Sequence, residues 1–157
     1  MTQPIPAGYR SVTPSFTFKD SKKAVAFYQK AFGAQALDVF PNLNGQGVMH
    51  ATIRIGDSIL MMGDENPGMK CMSAETLGNS PVSFFIYVPD ADAAFRQAVA
   101  AGCTATMPVA DMFWGDRAGS VRDPFGYSWM IATHKQDLTL DEIRKNAEAF
   151  FAQMAKK

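Results

Sequence analysis

Cysteine is nearly absent from this chain. Cys71 and Cys103 stand alone in 157 residues, with no C-x-x-C pair and no Cys–His ligand spacing. That excludes a disulfide scaffold, a zinc motif and a dithiol redox motif, and it leaves two free thiols in a reducing compartment as the expected state. An excess of charge is missing too: 15 basic side chains balance 15 acidic ones. Phosphate binding wants a basic surface, so nucleic acid is not the expected partner. No apolar run approaches the ~20 residues of a membrane helix. The opening MTQPIPAGYR lacks the basic start and apolar stretch of a secretory leader. The expected location is therefore the cytoplasm, with no membrane partner. G-x-S-x-G, Walker, G-x-G-x-x-G and H-E-x-x-H motifs are all absent, which removes the common hydrolase, NTPase, dinucleotide and zincin readings.

What is present reads as a globular chain, 47% hydrophobic and 19% charged. The most informative stretch runs from Phe113 to Ile131, FWGDRAGSVRDPFGYSWMI. Gly115 and Gly119 bracket an aromatic and charged loop, Trp114–Asp116–Arg117. Ser120–Arg122 reads as extended, Asp123–Pro124–Phe125–Gly126 carries type I turn chemistry, and Tyr127–Thr133 is extended again. Arg54–Met62 looks like a reduced copy of this hairpin.

The copy extends to the whole chain. Ser11–Phe18, Ala34–Phe40, Val48–Ile55 and Ser58–Met62 read as strands, with a helix capped by Asp20 or Ser21 and stopped by Gly33. Pro81–Val88, Thr104–Val109 and the Phe113–Ile131 hairpin repeat the order, with a helix capped by Asp90 and ended at Gly102. Asp20 and Asp90, Thr13 and Ser83, and Gly56 and Gly126 each stand 70 positions apart. Such a repeat means that one unit cannot bury its sheet face alone. Residues 11–62 form module one, 63–80 a linker and 81–134 module two. Thr139 and Glu142 make a capping box for a last amphipathic helix over 139–155. The predicted fold is α+β: two βαβββ modules forming a curved mixed sheet with a concave cleft, plus a C-terminal helix.

This order, with F-Y-x-K-x-F-G (Phe27 to Gly33), H-A-T-I-R-I-G-D (His50 to Asp57) and F-W-G-D-R…D-P-F-G-x-x-W (Phe113 to Trp129), resembles the vicinal-oxygen-chelate superfamily, and most closely its PhnB-like branch. That superfamily contains glyoxalase I, extradiol dioxygenases and the bleomycin- and fosfomycin-resistance proteins. The resemblance implies a homodimer and a ligand or metal site in the concave sheet. It also implies metal ligands (His, Gln or Glu) on the first and last strand of each module. Carried over, those positions hold Thr13 and Leu60, then Ser83 and Met130, and a one-residue slip replaces Leu60 by Met61. None suits a divalent cation, which wants imidazole or carboxylate. No cofactor is expected, and a divalent metal has a place only at a non-standard site.

Strand alternation assigns the cleft lining. Thr13, Ser15, Thr17, His50, Thr52, Arg54, Ser83, Tyr87, Ser120 and Arg122 supply polar groups; Leu60, Met62, Phe85 and Met130 supply apolar ones. Trp114 stands at the rim, where it can stack on a ligand, plug the cleft or bury in a dimer contact. The mixture suits a small organic molecule with a polar or anionic group, because arginine grips carboxylate or phosphate bidentately. The leading reading is a small-molecule-binding protein without the usual metal ligands. Two others stay open: a lyase-, isomerase- or dioxygenase-type enzyme using His50 and the cleft arginines, and a non-catalytic interaction module. The plainer reading of His50 is a hydrogen bond across the sheet, that of Arg54 and Arg122 is neutralisation by Asp57 and Asp123, and that of Asp116 and Arg117 is mutual pairing.

Overall fold

The computed structural model describes residues 2–154. Its first unit is β1 (Ser15–Phe18), α1 (Ser21–Phe32), β2 (Gln35–Pro41), β3 (Val48–Ile55) and β4 (Ser58–Asp64). The segment that follows carries a 3-10 turn (Pro67–Met69) and the one-turn helix α2 (Ala74–Leu77). The second unit is β5 (Ser83–Tyr87), α3 (Ala91–Ala101), β6 (Thr104–Asp111), β7 (Asp116–Arg122) and β8 (Ser128–His134), and α4 (Leu140–Met154) follows it. The last residue expected in α4, Ala155, lies outside the described residues.

The duplicated helix signals do the same work in both units. The Asp20 carboxylate accepts the Lys23 backbone N–H at 3.0 Å, and the Asp90 carboxylate accepts that of Ala93 at 2.9 Å. Each satisfies a donor that the first helical turn leaves without a partner. Gly33 and Gly102 close the helices at positive φ, 65° and 121°, where a side chain would be strained. At α4 the capping box forms in full: Glu142 accepts the Thr139 N–H at 2.8 Å, and the Glu142 N–H reaches Thr139 Oγ1 at 3.3 Å.

Each unit folds into a four-stranded mixed sheet, in the orders β1-β4-β3-β2 and β5-β8-β7-β6. The outer pairs β1–β4 and β5–β8 are parallel, and the other pairs are antiparallel. One face of each sheet is apolar, and these faces share a single core with α1 and α3. Phe16 of β1 stacks on Phe84 of β5 with ring centroids 4.2 Å apart. Trp129 of β8 lies 5.4 Å from Tyr28 and 4.6 Å from Phe32 of α1. Burial of this aromatic mass is the main stabilising contribution.

A buried carboxylate ties the modules together. Asp123, in the turn before β8, accepts the Tyr28 hydroxyl at 2.6 Å and the Trp129 indole N–H at 2.8 Å. It also accepts the backbone N–H groups of Phe125 and Tyr127. Burial pushes its pKa above the ordinary carboxylate value, and those four donors oppose the shift. Asp123 is therefore occupied in the core and does not neutralise Arg122.

Two face assignments differ from the sequence expectation. Met62 pairs with Ala51 and Phe16, and Leu60 pairs with Ile53. Leu60 and Met62 are thus core residues, 5% and 1% exposed, and Ile59 and Met61 take the polar face. The expected loop around Asp116 and Arg117 is instead the start of β7. Neighbours in a strand point to opposite faces, so the two do not pair. Arg117 clamps Asp92 in the first turn of α3 at 2.6 Å and reaches Asp111 at 3.1 Å.

The C-terminal helix touches the body through the loop before β7. Phe150 lies 5.6 Å from the Phe113 ring, and Asn146 Nδ2 donates to the Phe113 carbonyl at 3.4 Å. Leu140 and Phe151 on its apolar stripe stay 80% and 57% exposed. Among the described residues no helix is long and apolar enough to cross a membrane.

Candidate functional site on the outer sheet faces

Because the apolar faces meet in one core, the polar faces of the two sheets point away from each other. Within one chain the sequence-derived site residues therefore fall into two groups, one on each outer face.

On the first sheet, Ser15 pairs with Met61, Met61 with Thr52, and Arg54 with Ile59. Asp38 of β2 stands opposite Thr52, and Phe40 opposite His50. The His50 Nε2 lies 3.0 Å from the fully buried Thr52 hydroxyl and 3.9 Å from the Asp38 carboxylate. The His50 bond thus runs along β3 to the residue two positions on rather than across the sheet, with a carboxylate close by. Thr13 lies before β1, and its hydroxyl donates to the Arg10 carbonyl. Arg54 is half-buried, and no ion pair to it forms among the described residues. Asp57 instead lies 4.0 Å from Arg10.

The second sheet presents Phe85, Met130 and Ser120 in one row across β5, β8 and β7. The Ser120 hydroxyl lies 3.3 Å from the Met130 sulfur. Ser83, Ser128 and Arg122 form the next row. Arg122, half-buried, has no ion pair among the described residues either. Its place matches that of Arg54: Thr104 pairs with Arg122 as Gln35 pairs with Arg54.

At the far end of this face sits a cluster that the sequence reading did not assemble. Asp116 is 3% exposed and accepts the Trp114 indole N–H at 2.9 Å and the Tyr87 hydroxyl at 3.0 Å. His134 Nδ1 lies 2.8 Å from Asp116, and its Nε2 lies 3.0 Å from Asp137. Burial pushes the Asp116 pKa up, but the hydrogen bonds from His134, Trp114 and Tyr87 outweigh it and hold it below the ordinary value. The bonds to Asp137 and Asp116 raise the pKa of His134. Trp114 is thereby anchored, with its ring edge-on to Phe113 at 4.9 Å. The signal available in the sequence was the hairpin itself, since Asp116 and His134 are opposite one another in its register.

This order of strands, doubled, decides the family question together with one match. The family model described as Glyoxalase/Bleomycin resistance protein/Dioxygenase superfamily covers residues 13–131. The chain belongs to that superfamily. An uncharacterized protein of Mycobacterium bovis is 36% identical over 137 residues, 85% of this chain and 90% of the relative. Among solved structures, an Arabidopsis thaliana gene product is 28% identical with a TM-score of 0.62, over 79% of this chain and 98% of that one. The PhnB protein of Bacillus cereus shares the fold at 16% identity and a TM-score of 0.61, over 79% and 99% of the two chains.

The metal that the superfamily implies can be tested against the side chains present. The first and last strands of the modules place Ser15 beside Met61 and Phe85 beside Met130. Hydroxyl, thioether and phenyl groups do not fit a hard or borderline divalent cation. No cluster of three or more His, Cys, Asp or Glu side chains able to hold a metal occurs among the described residues.

Proposed function

We propose that this superfamily member binds a small organic molecule carrying an anionic group, and that guanidinium groups on the outer sheet faces take the role that a metal plays elsewhere in the superfamily. The observation that carries the reading is the pair Arg54 and Arg122. They occupy equivalent places in the two modules, half-buried, without a carboxylate partner among the described residues. A guanidinium so placed offers a planar fork of donors to carboxylate, phosphate or phosphonate. Around the arginines, Met61 on one face and Phe85 and Met130 on the other offer apolar area, while Ile59 is already covered. This is the composition of a small-molecule site.

A homodimer belongs to the same proposal. Each face is open in a single chain, and Val82, Phe85 and Tyr87 on or beside the edge strand β5 are 53%, 47% and 63% exposed. A second copy laid against these faces would turn open sheets into closed clefts.

Native mass spectrometry of protein purified without chelator tests the reading. The expected species carries a retained organic ligand and no stoichiometric metal. Stoichiometric metal that also supports turnover would overturn it.

One observation favours a second reading, an enzyme of lyase, isomerase or dioxygenase type. Asp38 stands 3.9 Å from His50, which puts a carboxylate beside a neutral imidazole able to act as general base. Loss of a measured turnover in His50→Ala, with ligand affinity retained, would select this reading. An unchanged turnover would dismiss it.

A further inference from the structure

The apolar faces of the two sheets do not close completely. Between them, where α1 ends and the β3–β4 turn approaches β5, a cavity of about 590 Å³ opens to solvent. Phe32, Leu60, Phe84, Ile86 and Trp129 form much of its wall, and Ala94 and Gln97 of α3 flank it. The geometry points to a second binding site here, for a neutral, largely apolar molecule of aromatic type, distinct from the arginine-bearing rows of the outer faces although Phe85 and Tyr87 of the edge strand β5 reach its rim.

Three features define that chemistry. The volume falls within the range of roughly 300–1,000 Å³ typical of small-molecule sites. Three rings stand together on the wall: Trp129 has its centroid 4.6 Å from Phe32 and 4.8 Å from Phe84. Trp129 is itself buried and backs the other two, so Phe32 and Phe84, both partly exposed, offer the flat apolar area for an offset-stacked or edge-on ring. Among the lining residues the one charged side chain is Asp57, beside Ser58 in the β3–β4 turn. The lining thus gives an anion no cationic partner, unlike the outer faces. Water at this wall finds few polar partners, so an apolar molecule displaces it at little cost. The Trp129 N–H is already spent on Asp123, and the Gln97 Nε2 donates to the Lys30 carbonyl at 2.9 Å. The Gln97 carboxamide oxygen is left as an acceptor, which favours a molecule with one hydroxyl donor.

Calorimetric titration with 1-naphthol, a neutral two-ring probe with one hydroxyl, tests the site. Saturable binding at one probe per chain is expected. Ala94→Phe, which pushes a ring into the cavity, should weaken it about tenfold or more. Ser58→Trp, an exposed position on the rim, is the second blocking variant in case Ala94→Phe does not fold, and it should weaken binding in the same direction. Arg54→Gln and Arg122→Gln should leave naphthol binding unchanged, so this site can fail or stand independently of the anion site. Absence of saturable binding to the native chain, or equal binding by a folded blocking variant, overturns the inference. So does a blocked variant that loses a dimer seen in the native chain, because a second copy would then cover the cavity.

Discussion

Phe16 and Phe84 stack across the molecule at 4.2 Å with their planes inclined by 21°. One ring belongs to the first module and the other to the second, so the modules share a core and should unfold together. Phe84→Ala removes the second ring of the stack and should cost about 3 kcal/mol. Urea unfolding followed by circular dichroism and by fluorescence should give coincident single transitions in the native chain. Two separated transitions would show that the modules are independent.

Asp123 makes a sharper prediction about the core. Asp123→Ala leaves the Tyr28 hydroxyl, the Trp129 N–H and two backbone N–H groups without their acceptor. Each orphaned donor costs about 1–3 kcal/mol. The variant should fail to fold or lose most of the stability, whereas Asp123→Asn, which keeps one acceptor oxygen, should retain more. The midpoints of denaturant unfolding give the ranking, and an Ala variant as stable as the native chain would contradict it.

The sequence showed the duplication, both helix caps, the capping box of α4 and the turn at Asp123. The caps and the turn are signals carried by a few neighbouring residues, and the duplication shows as their recurrence 70 positions on. It misplaced Leu60 and Met62 because Ile59, Leu60, Met61 and Met62 are all apolar, so alternation offers no way to choose the buried face of β4. Only pairing with β3, where Ile53 meets Leu60, decides it. Asp116 and Asp123 were read as partners of adjacent arginines, yet both are buried acceptors whose partners include groups distant in sequence, Tyr87 and His134 for Asp116 and Tyr28 for Asp123. His134 was passed over for the same reason: its partner Asp116 is brought to it by strand register. Whether the outer faces of two copies meet is a property of surfaces rather than of strand patterns.

The two cysteines should behave very differently. Burial, with a smaller contribution from Asp123, pushes the Cys103 pKa up to about 12, while Cys71 is exposed. A thiol reagent at neutral pH should modify one equivalent per chain in the native state and two after unfolding, since the thiolate is the reacting form. Rapid modification of both thiols in the folded protein would contradict the buried position of Cys103.

Glu65 sets an acid-side limit on stability. Hydrogen bonds from Ser73, and then Thr76, lower its pKa from 4.5 to about 2. A carboxylate with a depressed folded pKa stabilises fully above its unfolded value and loses that contribution as pH falls towards the folded one. Stability should therefore drop between pH 4.5 and about pH 2, and Glu65→Gln should flatten that part of the profile. Urea midpoints measured across the window, in native and variant chains, check it.

The most direct test of the central claim is calorimetric titration of phenylphosphonate, an anion with one apolar ring, in buffer containing EDTA. The account predicts saturable binding that EDTA does not alter and that weakens about tenfold when Arg54→Gln or Arg122→Gln removes a charged donor. Binding that requires added manganese, or that is indifferent to both arginines, would contradict it.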